Sequence, residues 1–359
     1  MSAIHIKYPA LTFKAGRRAL VHIRERGLRA GDIGTLPGAA GGPKPLGIQG
    51  LDLAIFGHLL PSAPRQRSLI GASIGAWRFA SACLNDPIAG LRRLGELYTE
   101  QDFARGVTPA QVTESCQRML DDLLQGRDSE ILANPNYRLN ILAVKSHGAL
   151  AFDGRATLGA GLSSVIASNL IGRSRLARHF ERVILHDGRC APPLDALTDF
   201  PSRCLPLHLD NLRQALLASG SIPMVMEGVR DIPGAGTGTY RDGGLLDYHL
   251  DLPYRGDDLV LYPHFADKVI PGWFDKALPW RRGDATRLQN VLLMTPSPQY
   301  LATLPYGKLP DRGDFKRFIG DAPARKRYWY KAIAESQRLG DELLELVASG
   351  HLHERLQAL

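Results

Sequence analysis

Five near-continuous apolar runs constrain this chain most: SLIG (68–71), LNILAVKS (139–146), RVILHD (182–187), DLVLYPHF (258–265) and NVLLMTPS (290–297). None alternates apolar with polar residues, so each reads as a strand covered on both faces. Stretches of helical character separate them. These are residues 14–27, 48–60, the almost wholly apolar Ile74–Leu84, and the faces formed by Leu205, Leu209, Leu212 and Leu216 and by Leu339, Leu343, Leu346 and Val347. Strands alternating with helices imply an α/β fold, a three-layer α/β/α arrangement with a mostly parallel central sheet. The stretch Gly31–Gly47 (GDIGTLPGAAGGPKPLG) is turn-rich, and its glycines and prolines exclude a regular element through its middle.

The 359 residues allow about two domains, or one large elaborated domain. No repeat, low-complexity tract or linker divides them. The expected organisation is one α/β domain over 1–265 with a helical insertion at 85–137, followed by an extension, 266–359, packed on the core. A composition of 44% apolar and 22% charged residues excludes wholesale disorder, a collagen-like chain and a coiled coil. No uncharged apolar run approaches the ~18 residues of a membrane span. The four cysteines are far apart and form no CxxC, which argues against a disulfide framework or structural zinc and fits a reducing compartment. The N-terminal MSAIHIKYPALTFKAGRR lacks the apolar core of a secretory signal, so a cytoplasmic location is expected. The net charge of +8 comes with scattered arginines, which fits a solvated basic surface or attraction to an anionic partner.

Chemistry concentrates in two places. Gly71-Ala72-Ser73-Ile74-Gly75 is G-x-S-x-G between an expected strand and an expected helix. Such a turn strains the serine backbone, exposes its hydroxyl at the sheet edge, and aims the amides of the helix start at developing negative charge. A serine nucleophile needs a base. Eight histidines follow (His147, His179, His186, His208, His249, His264, His351 and His353), and none sits in a signature that selects it. His249 and His264 remain conceivable partners in a Ser–His–Asp arrangement. The other base is a carboxylate. Asp242 stands before Gly243 and Gly244 in RDGGLL, and two glycines let a carboxylate approach the serine turn without side-chain collision.

GASIGA around Ser73, ASGSIP at 218–223 and DGG at 242–244, in this order, resemble the patatin-like phospholipases over roughly residues 31–255. The resemblance implies a Ser73–Asp242 dyad, hydrolysis of acyl esters in phospholipids or related lipids through an acyl-enzyme, and no metal or other cofactor. It also implies an oxyanion loop, matched here by Gly41, Gly42 and Lys44, with Pro45 where the family usually has glycine. Gly71, Gly75, Gly243 and Gly244 support the two motifs. Two other readings stay open: a Ser–His–Asp esterase, and a catalytically silent lipid- or anion-binding protein on the same scaffold.

The cluster PGWFDKALPWRR (271–282) mixes Trp273, Phe274 and Trp280 with Lys276, Arg281 and Arg282. That mixture suits an anionic membrane surface contacted peripherally, or aromatics packing the extension onto the core. RKRYWYK (325–331) could touch nucleic acid, but an aromatic helix face is the simpler reading and no nucleic-acid partner is expected. The partner expected is a lipid or ester substrate; the oligomeric state is not legible.

Overall fold

The central element of the computed structural model, which describes residues 8–359, is one mixed sheet of eleven strands. The strands are β1 (Leu11–Ala15), β2 (Ile33–Gly38), β3 (Arg67–Ala72), β4 (Tyr137–Ser146), β5 (Phe180–Asp187), β6 (Ser202–Leu207), β7 (Val229–Arg230), β8 (Thr239–Asp242), β9 (Leu259–Pro263), β10 (Val291–Pro296) and β11 (Leu356–Ala358). Along the sheet the order is β11-β1-β10-β9-β2-β3-β4-β5-β6, with β8 paired to β4 and β7 to β8. The run β10-β9-β2-β3-β4 is parallel throughout, while β1–β10, β4–β5 and β4–β8 are antiparallel. The chain is therefore α/β with a mostly parallel central sheet, compatible with a three-layer arrangement. The first seven residues of the N-terminal segment read above lie outside the described residues.

The five apolar runs all become strands, and their side chains form the core: Leu69, Ile141, Ile184, Leu261 and Leu292 are completely buried. Burial on both faces explains the missing alternation.

Three local expectations are corrected. The stretch judged too rich in glycine and proline contains β2, a central strand. Gly34 is accommodated because Asp258 closes on it: a Cβ there would lie 2.3 Å from the Asp258 carboxylate. Pro37 sits near the strand's end, and β2 shifts register at Ile33/Thr35, the irregularity proline and glycine bring to a strand. Residues 14–15 belong to β1, and the helix begins at Arg17. The expected leucine face does not form. Leu205 lies in β6, Leu209 is exposed in a turn, and the helix is Leu212–Gly220, because Pro206 takes part in a strand instead.

Between β3 and β4 lie the buried helix Ile74–Ala82 and three more, Pro87–Glu100, Pro109–Leu124 and Asp128–Ala133. Asp86 and Thr108 cap the second and third, Thr108 in a reciprocal capping box with Gln111. Among the described residues no helix is long and apolar enough to cross a membrane.

Candidate active site

The register of β4 brings the site together. The last residue of β3, Ala72, pairs with Leu142 of β4. The next residue along β4, Ala143, pairs with Asp242, the last residue of β8. With β5 paired along its other edge, β4 thus carries β3 and then β8 in succession on one edge, and Ser73 and Asp242 meet where the two partners abut. The Ser73 hydroxyl donates a hydrogen bond of 2.7 Å to Asp242 Oδ2. The two residues are 169 positions apart in the chain, and both are buried.

The serine turn is strained as the motif requires. Ser73 has φ 56° and ψ −131°, outside the regions an ordinary residue prefers. The neighbouring glycines are sterically obligatory. A Cβ at Gly75 would stand 1.9 Å from the Gly38 carbonyl oxygen, and one at Gly71 would stand 2.5 Å from the Ala76 nitrogen. A third group holds the turn: the Ser73 amide donates to Ser219 Oγ at 2.9 Å, and that hydroxyl donates to the Leu142 carbonyl at 2.6 Å. Ser219 thereby ties the turn to β4. Its motif was legible in the sequence; this role was not.

Asp242 is fixed by its own turn. The Gly244 amide donates to Oδ1 at 2.7 Å, leaving Oδ2 for Ser73, and the Asp242 amide donates to the Ser221 carbonyl at 3.0 Å. Gly243 is pressed against the Leu142 carbonyl, where a Cβ would stand 2.3 Å away. Burial pushes the carboxyl above its ordinary value of 3.8, while the Arg312 guanidinium, the Ser73 hydroxyl and the Gly244 amide pull it back down. A carboxylate raised this way is a stronger base toward a hydroxyl than one in water.

This shift has a sign that stability can report. The folded state holds the Asp242 proton more tightly than the unfolded chain, so its ionisation costs folding free energy. Wild-type stability from this group should fall as pH rises from 3.8 through the raised value. Asp242→Asn should abolish that fall and be more stable than wild type at neutral pH. Urea midpoints across pH check this; parallel curves for the two proteins would refute it.

The glycine loop faces the same space. Gly42 and Ser73 line one chamber, and Gly42 has φ 58°, a conformation that favours glycine. Among the described residues no protein acceptor takes the amides of Gly41 or Gly42, whereas the Ala40 amide is committed to the Tyr248 carbonyl. Pro45 fits without disruption, since it enters the first turn of the short helix Lys44–Ile48. Lys44 does not reach Ser73 or Asp242; its Nζ lies 5.1 Å from the centre of the Phe265 ring.

The chamber has a volume of about 520 Å³ and is walled by Trp77, Tyr98, Phe103, Met119, Met226 and Phe315, with Ser73 and Gly42 on its surface. Its walls are apolar, and its volume lies in the range of about 300–1,000 Å³ usual for small-molecule sites. Tyr98 comes from the Pro87–Glu100 helix, and Met119 from Pro109–Leu124. A second, narrower cavity of about 30 Å³ adjoins Asp242 and is lined by Ala40, Leu245, Tyr248 and Trp273. Arg312 lines both cavities. No sequence signal singled it out, because it follows an ordinary Pro-Asp turn far along the chain.

The histidines are elsewhere. Among the described residues none is hydrogen-bonded to Ser73 or Asp242. His249 and His264 meet edge to face, with ring centres 4.3 Å apart. Nδ1 of His249 faces the Lys268 carbonyl, and that of His264 faces the Ala266 carbonyl. Burial depresses both, His264 to about 3, so they stay neutral. In the RKRYWYK segment, Trp329 is fully buried and Arg325 lies 4.4 Å from its ring centre, so these side chains are spent on packing. Trp273 is half-exposed and Trp280 is well exposed. All four cysteines are free, and Cys116 lines the chamber.

In comparisons with known proteins, no family model, curated protein or solved structure matches this chain.

Proposed function

We propose that this chain is a serine ester hydrolase of patatin-like architecture that cleaves acyl esters of lipids through Ser73 and Asp242. The observation that carries the reading is the 2.7 Å bond from a strained, buried serine to a buried carboxylate, opening on an apolar chamber. In the first step the Ser73 oxygen bonds to the ester carbonyl carbon as its proton passes to Asp242 Oδ2. The amides of Gly41 and Gly42 hold the oxyanion, each such donor being worth about 2.7–4 kcal/mol. The tetrahedral adduct collapses, the alcohol leaves with the proton from Asp242, and the acyl group stays on Ser73. Water then loses a proton to Asp242, attacks the acyl carbon and releases the acid. Ser73 recovers its proton from Asp242. No step needs a metal.

The acyl chain enters the chamber. Burying a methylene contributes about 0.8 kcal/mol, so each added CH₂ should raise kcat/KM roughly fourfold until the space is full. A series of p-nitrophenyl esters of increasing chain length tests this, and a flat profile would show that the chamber does not receive the acyl group. The exposed ring of Trp280 and the half-exposed ring of Trp273, with basic neighbours, support peripheral contact with an anionic membrane surface.

A further inference from the structure

Three cations, Lys44, Lys276 and Arg312, are grouped near the glycine loop and the narrow cavity. Lys44 and Lys276 rest on aromatic faces: Lys44 on Phe265 at 5.1 Å, and Lys276 on Tyr248 at 5.1 Å and Trp273 at 5.7 Å. Arg312 stands over the glycine loop, where a Cβ at Gly42 would lie 2.8 Å from its Nε. Among the described residues none of the three forms an ion pair. Asp311, the acid that bears on both lysines, is occupied by Lys308 at 2.6 Å.

The three cations lie close enough to act on one another: Arg312 lines the narrow cavity, Lys276 covers two of its rings, and Lys44 bears on Lys276. Phe265 underlies the glycine loop, its ring 2.5 Å from where a Gly41 Cβ would be. Tyr248, Trp273 and Arg312 line the narrow cavity beside Asp242. Burial holds the ammonium groups of Lys44 and Lys276 below the usual lysine value, and Arg312 lowers both further. Cations that repel one another in a partly dry site lower their energy when an anion enters.

We propose that Lys44, Lys276 and Arg312 form a binding site for a phosphomonoester, carried on the non-acyl side of the ester substrate. Of the three cations only Arg312 bears on Asp242, and none is ion-paired among the described residues, which leaves positive charge in excess here. A phosphomonoester carries about −1.5 to −2 at neutral pH and matches that excess better than a carboxylate or a phosphodiester. Arg312 supplies a planar fork for phosphate oxygens, and the lysines supply point charges. Placing the phosphate opposite the acyl chain rests on the hydrolase reading above; anion binding by this group of cations does not.

The test uses the Ser73→Ala protein, which cannot turn over. Its affinity is measured by calorimetry for a monoacylglycerol phosphate and for the uncharged monoacylglycerol of the same chain length, both kept monomeric. The phosphate ligand should bind roughly tenfold or more tightly. Lys276→Ala and Arg312→Gln should each remove most of that preference, and Lys276→Arg should retain it. Unchanged melting temperatures guard against misfolding. Inorganic phosphate is titrated as a separate arm. Binding lost in the same variants shows that the site takes the free ion as well as the headgroup, whereas no binding restricts it to the headgroup. Equal affinity for the two lipids, or a preference that survives both substitutions, overturns the proposal. Wild-type hydrolysis of neutral esters with no phosphate preference would sink the anion site and leave the hydrolase. A phosphate preference without hydrolysis of any ester would do the reverse.

Discussion

Alanine at position 73 is expected to reduce ester hydrolysis by about 10⁴-fold or more and to abolish labelling by a fluorophosphonate probe. Asparagine at 242 is expected to cost a similar factor. The two losses should not multiply in the double variant, because nucleophile and base act as one unit. The geometry is the reason. In the proposed mechanism Asp242 Oδ2 receives the Ser73 proton along the 2.7 Å bond, and no other base is hydrogen-bonded to that hydroxyl among the described residues. Neutral, inward-turned His249 and His264 offer no substitute, so replacing them should act through packing rather than proton transfer. A Ser73→Ala protein that retained full hydrolysis would end the proposed reading. An inert wild type that also resisted the probe would favour a binding role instead.

The second large effect is expected at the support beneath the Asp242 turn. Arg182 is completely buried in β5, and its guanidinium grips Asp247 through two bonds of 2.7 Å while reaching Asp199 at 2.7 Å. Asp247 lies just beyond the D-G-G turn, and its amide bonds back to the Gly243 carbonyl at 2.9 Å. Arg182→Met would strand a buried carboxylate at Asp247 and a half-buried one at Asp199. Breaking one side of such a pair costs about 3–5 kcal/mol, because the remaining charge loses its partner but not its burial. Chemical denaturation should show a loss of that size, together with reduced kcat, since the turn that aims Asp242 loses its anchor. A loss under 1 kcal/mol would mean that water readily replaces the guanidinium. Replacing Arg182, Asp247 and Asp199 together by apolar residues should recover much of the stability, because no uncompensated charge then stays buried.

Much of the core was legible in the residues. The apolar runs at 139–146, 182–187, 258–265 and 290–297 were strands because residues buried on both faces need no polar alternation. The strand β2 was hidden because its glycine and proline are tolerated only where Asp258 and a register shift accommodate them. The leucine face from Leu205 to Leu216 misled because a helical spacing of apolar residues also arises across a strand, a turn and a helix start.

For the site, local chemistry was readable and long-range pairing was not. Gly71, Gly75 and Gly243 are demanded by backbone atoms within 3 Å, so the motifs had to be spelled in the chain itself. The meeting of the two side chains depends on β4 exchanging β3 for β8 between Leu142 and Ala143, a matter of register that no local pattern encodes. The same holds for Ser219 under the serine turn and Arg312 over the glycine loop. Sequence by itself determined which backbone could bend at each motif, because steric limits act between near neighbours. Tertiary structure alone decided which charges and hydroxyls came together, because their placement depends on how distant strands pair and pack.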